Sequence, residues 1–354
     1  MVIALVLLFL LTMFLSLIEE RLSERDKLMF FIMLGMIMIL IAGLREVGST
    51  PDSQDYEDMY YGKTNKILEA ATEPSFAIIS SILNALSLGT NALFLTYAFI
   101  SISIHLSAFW KMTKMPLMML TVYISYYYMM HDMVQIRAAV ASGLFIWAIY
   151  FYVEEKKKYA LICILTGIFF HYSATVGLLL FLLKEKMPNW QKAILYLVVP
   201  IGIVAYFMNL DISYLVPDEL GGAKLAAYRN LKDKGIEEQQ AGIRFEGNPL
   251  IWANIILYYA SIFYKDHLTK YCKYVPFAIK VQAIGFCCLF FLHGVSAVLG
   301  NRLNDYFSVA SIILWTASVY AFYPLIMGKI VNSFVSAVRF VASMLIYALS
   351  LISM

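Results

Sequence analysis

The stretch from His131 to Ser173 decides the fold of this chain. It reads HDMVQIR at 131–137, an apolar run at 138–153, EEKKK at 154–158, a second apolar run at 159–183, and HYS at 171–173 inside that run. Apolar runs separated by a short basic turn are typical of neighbouring membrane helices. Ionisable side chains at membrane depth are costly, so Arg137 and His171 are candidate functional residues.

The whole sequence has the composition of a membrane protein. Of its 354 residues, 61% are hydrophobic and 14% are charged, and the mean hydropathy is +0.73. A membrane helix needs about 20 residues, or fewer where flanking side chains reach the interface. The apolar runs are 2–18, 28–44, 75–88, 91–110, 116–130, 138–153, 159–183, 193–209, 249–264, 275–293, 303–327 and 331–353. We therefore predict an all-α polytopic integral membrane protein with about 10–11 transmembrane helices, forming a single membrane domain over residues 1–354.

Composition and motifs argue against several classes of function. The net charge of +3 is small and dispersed, which does not suit nucleic-acid binding. The four cysteines show no metal-ligand or disulfide spacing and are expected to pack as small apolar residues. The sequence has no P-loop, no G-x-S-x-G, no H-E-x-x-H and no C-x-x-C motif. We expect neither a metal nor a cofactor.

The basic residues predict the orientation of the helices. Most of the 27 lysines and arginines fall in short clusters at 19–27, 111–114, 154–158, 184–192, 265–280 and 328–339. Short basic loops stay in the cytoplasm, which leaves the loops at 45–73 and 210–248 on the outer side. Only one crossing then fits between the first outer loop and the cluster at 111–114. The run at 75–88 is therefore expected to be a helix in the outer interface, where Pro74 suits its first turn.

The run at 159–183 has two interpretations. It is too short to cross the membrane twice, because roughly twelve residues of helix in each direction span only about 18 Å. It is either a re-entrant hairpin with His171 near its tip or a single span with basic residues on both sides. Broken helices at membrane depth are tolerated where they line a polar cavity, so the hairpin fits a buried site.

Arginines on the outer side, together with His171, point to a ligand that carries phosphate groups. A guanidinium stays charged and grips two phosphate oxygens at once. Arg45 and Arg302 flank apolar runs, so either of them could instead anchor a helix end. Arg137 is the stronger candidate, because no other basic residue lies between Lys114 and Lys156.

The other candidate residues also have structural interpretations. His171 alone could be a hydrogen-bonded structural histidine. Asp52 could be a turn residue, and Glu73 could be an ordinary acid at a helix N-terminus. Tyr56 could lie at the membrane interface or stack on a sugar ring. The residues alone leave these alternatives open.

Several short motifs occur in order along the chain. They are GLREVG at 43–48, TPD at 50–52 with Tyr56 four positions after Asp52, EPSF at 73–76, IR at 136–137 with Ala141 following, EEKKK at 154–158, FFHYSA at 169–174 and NRLNDY at 301–306. In this order and spacing the chain resembles the EpsG/Wzy family of bacterial polysaccharide polymerases, which make O-antigen or exopolysaccharide. The resemblance spans residues 43–306. It departs from the family at Ala138, where a glutamine is frequent, and it includes no motif after Pro324.

The resemblance implies a membrane glycosyltransferase with a GT-C-like fold, acting in lipopolysaccharide or exopolysaccharide biosynthesis. Its donor and acceptor would be oligosaccharides on undecaprenyl pyrophosphate, joined at the periplasmic face of the bacterial inner membrane. The loops at 45–73 and 210–248 would be periplasmic. Membrane lipid would surround the protein, and a chain-length regulator is a candidate partner.

The resemblance also assigns roles to the candidate residues. Either His171 or Asp52 would take the proton of the attacking hydroxyl, and Arg137 would assist catalysis by neutralising the leaving pyrophosphate in place of a metal. The residues expected to bind pyrophosphate or glycan are Arg45, Arg137, Arg302, Tyr56, Glu73, Arg229 and Arg244.

Two other activities stay open at this point. A transporter or flippase of a lipid-linked oligosaccharide should show internal repeats and gates on both sides. The sequence shows no repeat, and its ionisable residues are concentrated on one side. An O-antigen ligase shares the arginine and histidine pattern but uses lipid A–core as its acceptor, and the sequence does not separate it from a polymerase.

Overall fold

The computed structural model describes residues 1–63, 72–184, 187–210 and 245–352. These ranges are helical and contain no strand. Six of the described helices are long and apolar enough to cross a membrane, and five shorter apolar helices accompany them. The prediction of an all-α polytopic membrane protein is confirmed. The total of about 10–11 spans and the likeness to the GT-C fold stay predictions.

The helices follow the apolar runs closely. In chain order they are α1 (Val2–Ile18), α2 (Glu24–Gly43), α3 (Ser53–Tyr60), α4 (Pro74–Ala85), α5 (Thr90–Met112), α6 (Pro116–Ile124), α7 (Ile136–Val153), α8 (Lys157–Phe170), α9 (Asn189–Phe207), α10 (Pro249–Phe263), α11 (Lys265–Leu268), α12 (Val275–Phe291), α13 (Ala297–Ser308), α14 (Ser311–Ser318) and α15 (Leu325–Ile352). A π-helical segment at Tyr128–Val134 joins α6 to α7. Proline begins α4, α6 and α10, where its missing N–H costs no hydrogen bond. The run at 75–88 is thus a helix, as predicted.

The described chain forms two compact units. The first unit contains Met1–Leu178 and Trp315–Ile352, and the second unit contains Leu179–Leu314. The expectation of one membrane domain stays a prediction. All contacts of the candidate site discussed below lie within the first unit.

Contacts within the first unit show which of its helix ends lie close together. The Lys329 ammonium lies 3.6 Å from the Glu19 carboxylate, and the Leu117 backbone N–H donates to that carboxylate at 3.0 Å. At the far end of α15, the Tyr347 hydroxyl donates to the Ser49 carbonyl oxygen. Glu19, Leu117 and Lys329 therefore meet at one end of the first unit. Which end faces the outside stays a prediction.

The basic cluster at 328–339 is not a loop between helices. α15 begins at Leu325 and continues through both Lys329 and Arg339. Lys329 is buried, and its ammonium lies 3.6 Å from Glu19 and 3.7 Å from Glu20. The expectation of a cytoplasmic loop here was wrong, because a lysine with paired carboxylates does not have to reach water.

The run at 159–183 is broken at His171. α8 ends at Phe170, His171 has an extended backbone with φ −154° and ψ 119°, and a 3₁₀ segment follows at Tyr172–Leu182. A Cβ added to Gly167 would lie 3.3 Å from the Cβ of Ala174, whereas seven residues of straight helix span about 10 Å. The chain therefore bends back sharply at His171, as the hairpin interpretation requires. Its depth in the membrane stays a prediction.

Candidate functional site

α7 and α8, of 18 and 14 residues, form a helical hairpin. Its turn contains Glu155 in the left-handed conformation, with φ 60°. Arg137 is the second residue of α7, and His171 directly follows α8. At 1.5 Å per residue, both positions lie roughly 25 Å from the turn. The antiparallel pairing of the two helices therefore brings Arg137 and His171 to the same level.

Glu73, immediately before α4, joins these two residues. Its Oε1 lies 2.9 Å from Nδ1 of His171, and its Oε2 accepts a hydrogen bond from Nη1 of Arg137. The backbone N–H of Tyr172 also approaches Oε1, at 3.4 Å. We call the three side chains of Glu73, Arg137 and His171 the Glu73 clamp. It assembles three segments of the chain that lie 64 and 98 residues apart in sequence.

The Glu73 carboxylate is both buried and charged. Burial raises its pKa, but the hydrogen bond from His171 and the charge of Arg137 outweigh burial and lower the pKa from 4.5 to about 2. An ionised carboxylate only accepts hydrogen bonds, so Nδ1 of His171 must carry the hydrogen. In a neutral imidazole this makes Nε2 the acceptor nitrogen. The His171 side chain is 23% exposed, so a substrate can reach it.

Aromatic rings surround the Arg137 guanidinium. Its Cζ lies 5.4 Å from the ring centroid of Tyr56 and 5.6 Å from that of Phe76. Cation–π contacts of this kind stabilise by about 0.5–2 kcal/mol each. Both rings belong to a buried apolar cluster with Tyr60, Leu93, Phe94, Tyr97, Ile136 and Val140. The cluster holds the guanidinium in place, while its Nε has no hydrogen-bond partner among the described residues.

Arg45 lies in the same part of the first unit. Its Cζ is 3.8 Å from the centroid of the Phe94 ring, and its Nη1 donates to the Ala42 carbonyl oxygen. Nε and Nη2 have no hydrogen-bond partner in the described ranges, although the residue is only 3% exposed. Burial lowers the pKa of Arg45 to about 10, and the guanidinium still interacts electrostatically with Tyr56. Arg45 is therefore a second cation on the aromatic cluster that surrounds Arg137, and it keeps unused donors.

Only some of the residues predicted for the site lie in the first unit. Asp52 precedes α3 and interacts electrostatically with Tyr56, which in turn contacts Arg137. The residues that the first unit brings together are Arg45, Asp52, Tyr56, Glu73, Arg137 and His171. Arg302 is exposed on α13 in the second unit. Arg229 and Arg244 lie outside the described residues. The functional roles of all these residues stay predictions.

The structure contains a further group of buried polar residues that the sequence analysis did not predict. The Tyr123 hydroxyl lies 3.3 Å from Nδ1 of His105 and donates to the Asp132 carboxylate. The Ser142 hydroxyl lies 3.3 Å from Nε2 of the same histidine. The available signal was His105 itself, an ionisable residue in the middle of the apolar run at 91–110. This group packs α5, α6 and α7 together and contributes polar contacts to the interior of the first unit.

Metal-ligating residues are not grouped in the part of the chain that the structure describes. No three of its histidine, cysteine, aspartate and glutamate side chains are arranged to hold a metal ion. Independence from metal ions stays a prediction for the assay.

The EpsG family model matches residues 28–354. This chain belongs to the EpsG family. The match covers nearly the whole chain, including all three residues of the Glu73 clamp. No curated protein and no solved structure matches this EpsG-family chain.

Membership in the EpsG family has two consequences. The family and the long apolar helices together indicate a multi-pass membrane protein. The family also supports a role in making a glycan polymer.

Proposed function

We propose that this EpsG-family protein is a glycosyltransferase that polymerises undecaprenyl-pyrophosphate-linked repeat units at the periplasmic face of the inner membrane, as an O-antigen or related polymerase. Family membership supports the polymerase class. The observation that carries the chemistry is the Glu73 clamp, because one carboxylate holds an imidazole and a guanidinium side by side. A base and a cation at one place suit the transfer of a glycan from a pyrophosphate.

The proposed reaction exchanges one bond at the anomeric carbon of the donor sugar. The acceptor hydroxyl oxygen bonds to that carbon, and the bond between the carbon and the pyrophosphate oxygen breaks. The electron pair leaves with the lipid pyrophosphate, so no nucleotide is required. Nε2 of His171 takes the hydroxyl proton, with Asp52 as the second candidate for that role.

Glu73 acts in this proposal as a positioning residue for His171. Both of its oxygens contact protein groups, which supports this role. Direct binding of the substrate by Glu73 stays a prediction. A buried carboxylate on one imidazole nitrogen fixes the tautomer and stabilises the imidazolium that forms after proton transfer. The low pKa of Glu73 keeps the carboxylate charged throughout this cycle.

The arginines supply positive charge to the departing pyrophosphate. Among the described residues, Arg45 keeps Nε and Nη2 without hydrogen-bond partners, and Arg137 keeps Nε. Each guanidinium packs on a ring of the buried aromatic cluster. A guanidinium fork can hold two oxygens as charge builds on the leaving group. Arg302, Arg229 and Arg244 are further candidates for the glycan or the pyrophosphate.

The test is polymerisation by the purified protein from lipid-linked repeat units. We expect His171→Ala to remain folded and to lower the rate by about 10²–10⁴-fold, because it lacks the proton acceptor. The matched control is His267→Ala, at an exposed histidine of the second unit. Equal turnover of wild type and a well-folded His171→Ala protein would remove His171 from the mechanism.

A deletion strain separates the alternative activities. Its lipopolysaccharide gel should show single-repeat products if the missing protein is a polymerase. A complete absence of surface repeats points instead to a flippase or a ligase, and accumulation of lipid-linked polymer points to the ligase.

A further inference from the structure

Asp132 is a buried carboxylate of the first unit that the proposed reaction does not use. It belongs to the π-helical segment between α6 and α7, and it is 1% exposed. Its Oδ2 accepts a hydrogen bond from the Tyr123 hydroxyl, whereas its Oδ1 has no hydrogen-bond partner among the described residues. A buried carboxylate is costly unless a cation offsets its charge.

The contacts of Tyr128 place Asp132 beside the end of α2, where Arg45 lies. Tyr128 and Asp132 are about one π-helical turn apart, so they lie on nearly the same side of the segment. The Tyr128 hydroxyl donates to the Met38 carbonyl oxygen at 2.7 Å. One turn later in α2, the Ala42 carbonyl oxygen accepts from Nη1 of Arg45. The π-helical segment and Arg45 therefore meet the same part of α2.

The charges of Arg45 and Asp132 also interact with each other. Each of the two groups is among the electrostatic partners of the other. The remaining groups with which Arg45 interacts most strongly are phenols, those of Tyr56, Tyr128 and Tyr347. Phenols are ordinarily neutral near pH 7, whereas a carboxylate is charged. Asp132 therefore supplies negative charge to the surroundings of Arg45.

Asp132 does not occupy the unused donors of Arg45. Nε and Nη2 of the guanidinium and Oδ1 of the carboxylate all lack a hydrogen-bond partner in the described part of the chain. Coulomb attraction does not require contact, and it is stronger in a protein interior than in water. Asp132 can thus offset the charge of the guanidinium and still leave its donors to a ligand.

We propose that Asp132 is the counter-ion of Arg45 and that it weakens the hold of Arg45 on the pyrophosphate product, which promotes product release. This inference rests on the proposed function, in which Arg45 attracts the departing pyrophosphate. When the bond to the sugar breaks, the pyrophosphate gains a terminal oxygen and becomes more negative than it was in the donor. A fixed carboxylate therefore repels the product more strongly than the donor. Asp132 acts through Arg45, so it is a positioning residue.

The first test is a double-mutant cycle on the thermal unfolding of the full-length protein in nanodiscs, without ligand. Asp132→Asn keeps an acceptor oxygen for Tyr123 but leaves the charge of Arg45 without its counter-ion, so the unfolding temperature should fall. Arg45→Met should lower the unfolding temperature in the wild-type background. In the Asp132→Asn background it should raise that temperature or lower it much less.

Equal losses from Arg45→Met in both backgrounds would overturn the pairing of Arg45 with Asp132. If Asp132→Asn alone does not fold, Arg45→Met should restore folding. A double variant that also stays unfolded would count against the pairing in the same way.

Glu19 provides the matched control, because it is a buried carboxylate with a different cation. It is 0% exposed, and it lies 3.6 Å from the ammonium of Lys329. Along α15, Lys329 is roughly 27 Å from Tyr347, which interacts with Arg45. Glu19→Gln should therefore lower the unfolding temperature by the same amount in wild type and in Arg45→Met.

The second test measures the affinity for farnesyl pyrophosphate, which carries a terminal pyrophosphate as the product does. Asp132→Asn removes a repelling charge, so it should bind this probe about fivefold more tightly than wild type, or tighter still. Glu19→Gln and Tyr123→Phe keep the charge of Asp132 and should bind it with wild-type affinity. In polymerisation by Asp132→Asn, kcat and KM should both fall, because the product is retained.

A purely structural role of Asp132 gives different results. Loss of packing or of hydrogen bonds would weaken the binding of farnesyl pyrophosphate or leave it unchanged, and KM would not fall. Either result would refute the role of Asp132 in product release.

These outcomes are distinguishable from a failure of the proposed function. Suppose that the stability cycle is coupled and that Asp132→Asn binds farnesyl pyrophosphate more tightly, but that wild type forms no polymer. This result would count against the proposed function and leave the pairing of Arg45 with Asp132 in place. Additive stability losses in an active polymerase would refute the pairing and leave the proposed function standing.

Discussion

Replacing Glu73 with glutamine tests the centre of the candidate site with almost no change in shape. The carboxylate has two acceptor oxygens, and each one meets a donor, on Arg137 or on His171. An amide has only one acceptor oxygen. If that oxygen faces Arg137, the amide NH₂ faces His171 and favours the tautomer with hydrogen on Nε2. We therefore expect Glu73→Gln to lose the proton acceptor and to slow polymerisation by about 10²–10⁴-fold.

The effect on stability follows from the pKa of Glu73. The pKa falls from 4.5 to about 2 on folding, and the side chain is only 3% exposed. A shift of this size corresponds to about 3 kcal/mol of folding free energy at neutral pH. Removing one partner of a buried ion pair costs about 3–5 kcal/mol, which is the same order. Glu73→Gln should therefore be destabilised by about 3 kcal/mol.

The same pKa shift determines how the contribution of Glu73 to folding stability changes with pH. Because the folded-state pKa is lower than the unfolded-state value, the contribution of Glu73 is complete above pH 4.5 and is lost as the pH falls from there to about 2. Thermal unfolding in nanodiscs between these pH values should show a declining contribution in wild type. That contribution should be absent from Glu73→Gln.

The controls separate this effect from general damage. Glu46→Gln changes an exposed glutamate in the neighbouring loop and should leave both rate and stability close to wild type. Glu73→Asp keeps the charge but shortens the side chain by one methylene, so it should be intermediate. A missing proton acceptor should slow the reaction far more than about twofold. If Glu73→Gln is folded and polymerises within about twofold of the wild-type rate, Glu73 does not orient His171 for proton transfer.

Three other outcomes are expected. Arg137→Lys should insert into the membrane and still give a strongly defective lipopolysaccharide ladder in a deletion strain, because a point charge cannot replace the guanidinium fork. Arg137→Ala should be no better. A full ladder from the lysine variant would mean that Arg137 only anchors the helix. In intact cells an impermeant thiol reagent should label Asn65→Cys and Lys232→Cys but not Lys157→Cys, and labelling of Lys157→Cys would overturn the proposed orientation. Polymerisation by purified protein should survive EDTA, whereas a loss reversed by magnesium or manganese would contradict charge neutralisation by arginines.

Sequence alone predicted the helices well because their signal is local. An apolar run of membrane length needs no partner to be recognised, and short basic clusters mark its ends. The break at His171 follows one of the two interpretations of the run at 159–183, which is too short for two crossings of the membrane. These features depend on neighbours within about 20 residues.

The pairing of Glu73 was not predicted because its partners lie far away in the sequence. An acid before a proline looks like an ordinary helix N-terminal residue, and nothing nearby points to positions 64 and 98 residues later. One clue was overlooked. Arg137 and His171 lie at nearly equal distances from the turn at Glu155, which predicts that an antiparallel hairpin places them together.

Arg339 was misjudged for a different reason. A basic residue near Lys329 was counted with a cytoplasmic loop, although it also lies within the apolar run at 331–353. Counting charges by cluster assumes that each one reaches water. In the structure Lys329 is neutralised inside the protein and Arg339 is enclosed by aromatic rings, so neither residue marks a loop.

The contact between α15 and the first helix also bears on how the chain is made. The Lys329 ammonium lies 3.3 Å from the Ser16 carbonyl oxygen, across 313 residues of sequence. At about 5–20 residues per second, the ribosome needs roughly 15–60 s to travel that distance. Throughout this interval Glu19 sits at the end of the first inserted helix without its nearest cation. A chain truncated before Lys329 never completes this pairing, and we expect cellular quality control to degrade it faster than the full-length protein.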